Sequence, residues 1–315
     1  MTATMRRLLT GQNSRQGLWL IPLLIGGIAC ILLALRSEEF LNAQNLLNLV
    51  AQAVPLLVIA IGQMLVILVR GLDLSVGAVV SLTTAILALD APGYVVLPAA
   101  FLAAALVGAV NGIAVTRLHV HPIIATLSMM MIVQGGTMLL RPVAGGTIPA
   151  IVTDLVTGEV LGIYMPLVWA VLVLLLGWKL IHGSRFGLHL FAIGGGPEIA
   201  RAFGIADRRN VLLAYIACSL FAALAGCFLA GRIASGDPNI GTPFALDSIT
   251  AVALGGTQLA GGVGSLQGTV TGALIMALLA NGMNLENLSA FIQTAVKGAI
   301  LLVVVALQPR RFMGL

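Results

Sequence analysis

The sequence predicts an all-α, polytopic membrane bundle of about ten transmembrane helices, and three observations predict it. The 315 residues are 59% hydrophobic and only 9% charged, with a mean hydropathy of +1.09. Apolar runs of membrane-crossing length recur from residue 18 to residue 307. The runs are continuous, as in LWLIPLLIGGIACILLAL (18–35), whereas barrel strands would be short and alternating. Lipid offers no partner to a free peptide group, so only helices and closed barrels span it, and continuous runs select the helix. Composition thus overrides the two-domain expectation for a soluble chain of this length. Residues 1–315 read as one transmembrane domain.

The spans fall, in order, at 18–35, 46–69, 75–89, 95–115, 123–140, 166–182, 211–231, 246–259, 265–283 and 290–307. The third and eighth are short and read equally as re-entrant or broken helices. The first follows a basic tail, 1–17, with Arg6, Arg7 and Arg15. Its 18 residues are long for the core of a signal peptide, and LALRSEEF holds no convincing small-residue cleavage site, so it reads as an uncleaved helix. Cys30, Cys218 and Cys227 all lie inside apolar spans, where they serve as small hydrophobes. His119 and His121 flank Val120 at a spacing that does not share a helix face, and no third ligand is near. No metal or cofactor site is expected in the chain.

Charge gives the orientation, because Lys and Arg collect in cytoplasmic loops. With the N-terminus inside and ten alternating spans, the inside segments hold Arg6, Arg7, Arg15, Arg70, Arg117, Lys179, Arg185, Arg201, Arg208, Arg209, Arg310 and Arg311. The outside segments hold Arg36, Arg141 and Arg232, and Lys297 lies within the last span. Both termini are therefore expected in the cytoplasm. The isoelectric point near 9.6 reflects this topology. A nucleic-acid surface would cluster its basic residues among aromatics; here they are spread over several loops.

The loop 183–210 is the largest cytoplasmic feature, and AIGGGPEIARAFGI (192–205) lies in it. Gly194, Gly195 and Gly196 are expected to turn the chain. Pro197 suits the first helical position, and Glu198 suits the positive end of the helix dipole. Ile199, Ala202 and Phe203 follow at i, i+3 and i+4 as one apolar stripe. Gly204 is placed to close the helix in a left-handed cap, with Arg201, Arg208 and Arg209 around it. A helix this short is marginal alone in water and needs something to dock on. A plain connector, a phosphate loop and a protein dock are the three readings. The phosphate loop lacks GxxxxGK[ST] and a preceding strand.

FAIGGGPEIARAFGI, followed further on by GTPFALDSITAVALGGTQLAGGVGSLQGTVTGAL, resembles the membrane permease of bacterial ABC sugar importers, in the ribose/xylose/arabinose/galactose branch. GLDLSVGAVVSL (71–82), VNGIAV (110–115) and HPIIATLSMM (121–130) are similar to further family stretches, and the matches run in order from about 46 to 307. The resemblance implies that 197–203 is a coupling helix, with Gly195, Gly196, Pro197, Glu198, Ile199, Arg201, Phe203 and Gly204 meeting a separate cytoplasmic ATP-binding subunit. ATP and Mg would reside on that subunit. A periplasmic sugar-binding protein and a second permease subunit, identical or paralogous, are implied as partners in the bacterial inner membrane. The chain departs from the family at Gly196, where Asn is common, at Arg70, where Gly is usual, and at Gln63, where Met is common.

Polar groups inside a membrane are costly and so need partners or water. Asp73, in RGLDLSVG, reads as a turn and helix cap, with contact to the coupling machinery as the alternative. Asp247 opens the eighth span and Lys297 lies about two turns into the last; each has a local reading, and a buried ion pair between them is the third. Asn111, Gln134, Asn281 and Asn284 are amides suited either to lining a sugar path or to tying helices together. With Asp247 and Lys297 they form the candidate pathway or gate. Gly108 with Gly112, and Gly268 with Gly272, form GxxxG pairs that let helices approach closely. LDLSVGAVVSLTTA (72–85) and LDSITAVALGGTQLA (246–260) suggest a short inverted repeat. A stand-alone secondary transporter of a small polar solute is the competing function; the scarcity of intramembrane acids and the docking loop weigh against it. No nucleophile–base pair or carboxylate dyad suggests an enzyme.

Overall fold

The computed structural model describes Gly27, residues 39–160 and residues 162–307. The expected span 18–35 (Gly27 aside), the tail 1–17 and the C-terminal arginines lie outside the described residues. Within them the chain forms α1 (Ala43–Leu68), α2 (Val76–Leu87), α3 (Gly93–Thr116), α4 (Pro122–Leu140), α5 (Ala150–Thr157), α6 (Met165–Ile181), α7 (Arg185–Gly195), α8 (Pro197–Ala202), α9 (Asp207–Ile233), α10 (Phe244–Leu254), α11 (Leu266–Leu285) and α12 (Ala290–Leu307). A two-residue hairpin, Glu159–Val160 against Ile163–Tyr164, separates α5 from α6.

Among the described residues, α1, α3, α4, α9, α11 and α12 are long and apolar enough to cross a membrane. The pair α6 and α7, bent by 63°, adds a seventh when taken as one span. The third and eighth expected spans are the short apolar helices α2 and α10.

The sequence of α1 explains its place. From Val54 to Val69 it carries no charge, and those residues are buried without a break. A helix that is apolar all round belongs inside a bundle, and α9, α10 and α11 all pack on α1. Glycine sets how close they come. A Cβ at Gly62 would lie 2.8 Å from the Phe221 Cβ of α9. One at Gly108 would lie 2.6 Å from the Tyr215 carbonyl oxygen, and one at Gly112 2.6 Å from Leu212 Cδ1, so α3 meets α9 through this pair. Gly268 and Gly272 in α11 face the carbonyl oxygens of Gly255 and Ala251 at distances no Cβ could occupy.

This contact carries a prediction. Gly272→Val will abolish the monodisperse folded peak in detergent size-exclusion chromatography, because the clash is with backbone. Gly298→Ala, at a position with open space around it, will leave that peak unchanged. Recovery of both variants in equal amount would contradict the close approach of α10 and α11.

Two groups of loop contacts stand out. Arg70, Gly194 and Gly262, all in segments assigned to the cytoplasm, meet in one. In the other, Arg141 Nη2 donates to the Ala88 carbonyl (2.6 Å), and Gly145 and Gly236 exchange backbone bonds of 2.9 and 3.0 Å.

Two local expectations are corrected. Gly194 and Gly195 do not turn the chain: they form the last turn of α7, a helix begun by Ser184, whose side chain accepts from the Gly187 N–H. Gly194 is there for contact, since a Cβ on it would collide with the Leu68 carbonyl oxygen and the Gly262 nitrogen, whereas a Cβ on Gly195 would meet open space. And the helix expected over 197–203 ends at Ala202, with Phe203 as its C-cap.

Candidate functional site

The loop 183–210 holds α8 at the end of the bundle. Pro197 stands at its first position, Glu198 in its first turn and Arg201 in its last, so both charges agree with the helix dipole. Its C-terminus closes in a Schellman motif. The Gly204 N–H donates to the Arg201 carbonyl (2.9 Å) and the Ile205 N–H to the Ala200 carbonyl (3.0 Å), with Gly204 at φ +78°. Arg201 Nε lies 3.2 Å from Asp207 Oδ2, a surface pair worth little by itself. Ala200 is buried against the bundle, whereas Ile199 is 66% and Phe203 82% exposed. A six-residue helix started by Pro197 and closed at its C-terminus thus presents two large apolar side chains outward.

The helix before it, α7, is held at its C-terminus. The Arg70 guanidinium donates from Nε to the Gly194 carbonyl (2.9 Å) and from Nη2 to the Gly195 carbonyl (3.4 Å), at the C-terminus of α7. The Gly262 N–H, from the loop after α10, donates to the Leu68 carbonyl at the end of α1 (3.0 Å). The residues of GGTQLAGG that turn this loop are Gly256, Gly261 and Gly262, all at positive φ.

Asp73 sits just beyond, in the turn from α1 to α2. Its Oδ1 accepts from the Ser75 N–H (2.9 Å) and hydroxyl (2.6 Å), and Asn111 Nδ2 donates to Ser75 Oγ (2.9 Å). Burial pushes the Asp73 carboxyl up to about 6, against the opposing bonds from Ser75 and Asn111. The Gln63 amide, oriented to satisfy both groups, accepts from the Asp73 N–H (3.1 Å) and donates to its carbonyl (3.2 Å). Asn111, one of the pathway candidates, and Gln63 are thus buried and bond the turn to α3 and α1.

The other candidates separate. Lys297 Nζ meets Asp247 Oδ2 at 2.6 Å, joining α12 to α10. Asn281 forms a reciprocal amide pair with Asn45, 2.9 and 3.3 Å, fastening α11 to the start of α1. Asn284 accepts instead from Gln293 of α12 (2.8 Å), so sharing a helix face did not give the two asparagines a common partner. Gln134 borders a cavity of about 460 Å³ together with Asn239, Thr242, Met130, Met131 and Met138. Its Nε2 donates to the Pro238 carbonyl (2.9 Å) and to Asn239 Oδ1 (3.3 Å). Asn45, Asn239 and the side-chain role of Arg70 were not found from sequence; they sit in loops or at helix ends, where no periodicity marks a partner. Among the described residues no group of three His, Cys, Asp or Glu could hold a metal ion.

Apolar spans, two short helices inserted among them and a short helix with exposed apolar side chains at one end make a multi-pass helical membrane protein. The chain belongs to the family described as "Branched-chain amino acid transport system / permease component", which matches residues 45–305. It is 37% identical over 287 residues to the ribose import permease protein RbsC of Escherichia coli (strain K12), covering 87% of this chain and 88% of that one. It is 36% identical over 297 residues to RbsC of Bacillus subtilis (strain 168), covering 90% of each. The galactose/methyl galactoside import permease protein MglC of Escherichia coli (strain K12) is 31% identical over 319 residues, covering 91% of this chain and 94% of that one. No solved structure matches the chain.

Proposed function

We propose that this chain is the transmembrane subunit of an ATP-driven importer that passes a monosaccharide, most simply a pentose such as ribose, across the bacterial inner membrane. The exposed pair Ile199 and Phe203 on the capped helix α8 is the observation that carries the mechanism. A cytoplasmic ATP-binding subunit takes this pair into a groove, in the manner of an amphipathic helix. Closure of two such subunits on ATP and Mg displaces α8 and reorients the bundle. Nucleotide and metal belong to those subunits. A periplasmic sugar-binding protein delivers the substrate at the opposite end, and a second permease subunit, identical or paralogous, completes the path. About ten spans with both termini cytoplasmic fit this arrangement. Gln134, with Asn239 beside it, supplies amides that a sugar hydroxyl can meet.

The identities to ribose and galactose import permeases support the substrate class. A stand-alone secondary transporter would need free acids for ion coupling. Asp247 is already paired with Lys297, and Asp73 is bonded to Ser75.

Uptake tests the substrate. Cells expressing the chain with its transport partners will accumulate labelled ribose, with unlabelled ribose competing better than galactose, and leucine not competing. Preferential uptake of leucine would overturn the sugar reading.

A further inference from the structure

The end of α1 repeats the motif that closes α8, with one difference. The Gly71 N–H donates to the Val66 carbonyl and the Arg70 N–H to the Ile67 carbonyl, both at 2.9 Å, and the left-handed residue between helix and turn is Arg70, at φ +66°. Glycine fills that place in α8 and is the residue the geometry favours. An arginine held left-handed has to be explained by its side chain.

That side chain reaches across to the carbonyls of Gly194 and Gly195, the residues directly before Gly196 and α8. These are the unpaired carbonyls at a helix C-terminus, where a cation is also favoured by the dipole. The Leu68 carbonyl left over by the α1 motif is taken by the Gly262 N–H (3.0 Å). The approach is too close for any Cβ: one on Gly194 would strike the Leu68 carbonyl, and one on Gly262 would lie 2.5 Å from the Gly195 nitrogen. So α7, the end of α1 and the loop after α10 meet backbone to backbone, and Arg70 is the side chain that fastens the α7–α8 junction to this joint.

We propose that Arg70 is a positioning residue for energy coupling: it delivers displacement of α8 to the C-terminus of α1. The inference rests on the docking role proposed for α8. α1 is the buried helix on which α9, α10 and α11 pack, so a push received at its end reaches the helices around the path. Without the guanidinium, α8 can yield under the ATP-binding subunit while α1 stays behind.

The test uses the whole assembly, this chain with its ATP-binding subunit and sugar-binding protein, in proteoliposomes with ribose. It compares wild type, Arg70→Gly, Arg70→Met, Arg70→Lys and the double variant Ile199→Ala/Phe203→Ala. Three quantities are read: melting temperature of the permease in detergent, co-purification of the ATP-binding subunit, and ribose imported per ATP hydrolysed. Arg70→Gly suits the left-handed backbone and so keeps its melting temperature and its ATP-binding subunit. Its ribose per ATP falls at least fivefold. Arg70→Met, which keeps the stem and loses the donors, falls equally, and Arg70→Lys recovers at least half of the loss. An unchanged ratio in both Gly and Met variants, while the double variant loses co-purification, would overturn the role of Arg70 and leave the docking reading standing. A lower melting temperature with an unchanged ratio would make Arg70 purely structural and overturn it as well. Full co-purification and an unchanged ratio in the double variant would remove the docking reading, and this inference with it.

Discussion

Replacing Ile199 and Phe203 together with alanine will abolish capture of the ATP-binding subunit while leaving the bundle folded. Both side chains point away from the bundle, at 66% and 82% exposure. Their removal from the free permease should cost no more than about 0.5 kcal/mol, the usual range for surface positions. Alanine also keeps the helix, because Pro197, the Gly204 cap and buried Ala200 remain. In the assembly the same atoms would be desolvated. Central apolar and aromatic anchors commonly cost about 2–4 kcal/mol on truncation, which is roughly tens- to hundreds-fold in affinity. Binding of the purified ATP-binding subunit to nanodisc-held permease, read by surface plasmon resonance, measures this. Equal affinity for wild type and double variant, with both folded, would reduce α8 to a connector.

The second large effect concerns the only charge pair formed between two apolar helices of the described bundle. Lys297→Ala will lower the melting temperature more than any exposed substitution on α12. The pair is 2.6 Å long, with side-chain exposures of 21% and 11%. None of the residues of α12 is buried, and α12 packs chiefly on α10, the helix that carries Asp247. Removing one partner of a buried pair costs about 3–5 kcal/mol because the other charge is stranded. Partial exposure here brings the expectation to about 2–3 kcal/mol. Asp247→Ala/Lys297→Ala strands nothing and will lose less than Lys297→Ala alone. The exchanged pair Asp247→Lys/Lys297→Asp will recover part of the loss. A Lys297→Ala variant as stable as wild type would show that the pair does not hold α12 in place.

That pair was legible in the sequence because charges inside apolar spans are so few that each one asks for a partner. The spans were legible for the same reason: hydropathy alone marked each helix from α1 to α12 that carries an expected span, including the shortness of α2 and α10. The start and stop of α8 were readable from Pro197, Glu198 and Gly204, whose backbone requirements are local. α7 was not, because Gly194 and Gly195 read as turn residues. For Gly194 the reason for being glycine lies in neighbours over 60 residues away, Leu68 and Gly262, that no local pattern reveals. Asn111 likewise read either as lining a path or as tying helices together, and its partner Ser75, 36 residues away, could not be named from the sequence. Arg70 stood out only as an arginine where the resembling family has glycine. Nothing in the sequence states that its backbone would be left-handed or that its guanidinium would reach α7.

ATP hydrolysis and ribose uptake, measured together in proteoliposomes, test the central claim most directly. The vesicles would hold this chain and its ATP-binding subunit, with the sugar-binding protein added outside. Ribose-loaded binding protein will raise hydrolysis several-fold, and labelled ribose will accumulate only when ATP and Mg are supplied on the cytoplasmic face. Accumulation of ribose by this chain alone, driven by an ion gradient without ATP, would contradict that claim.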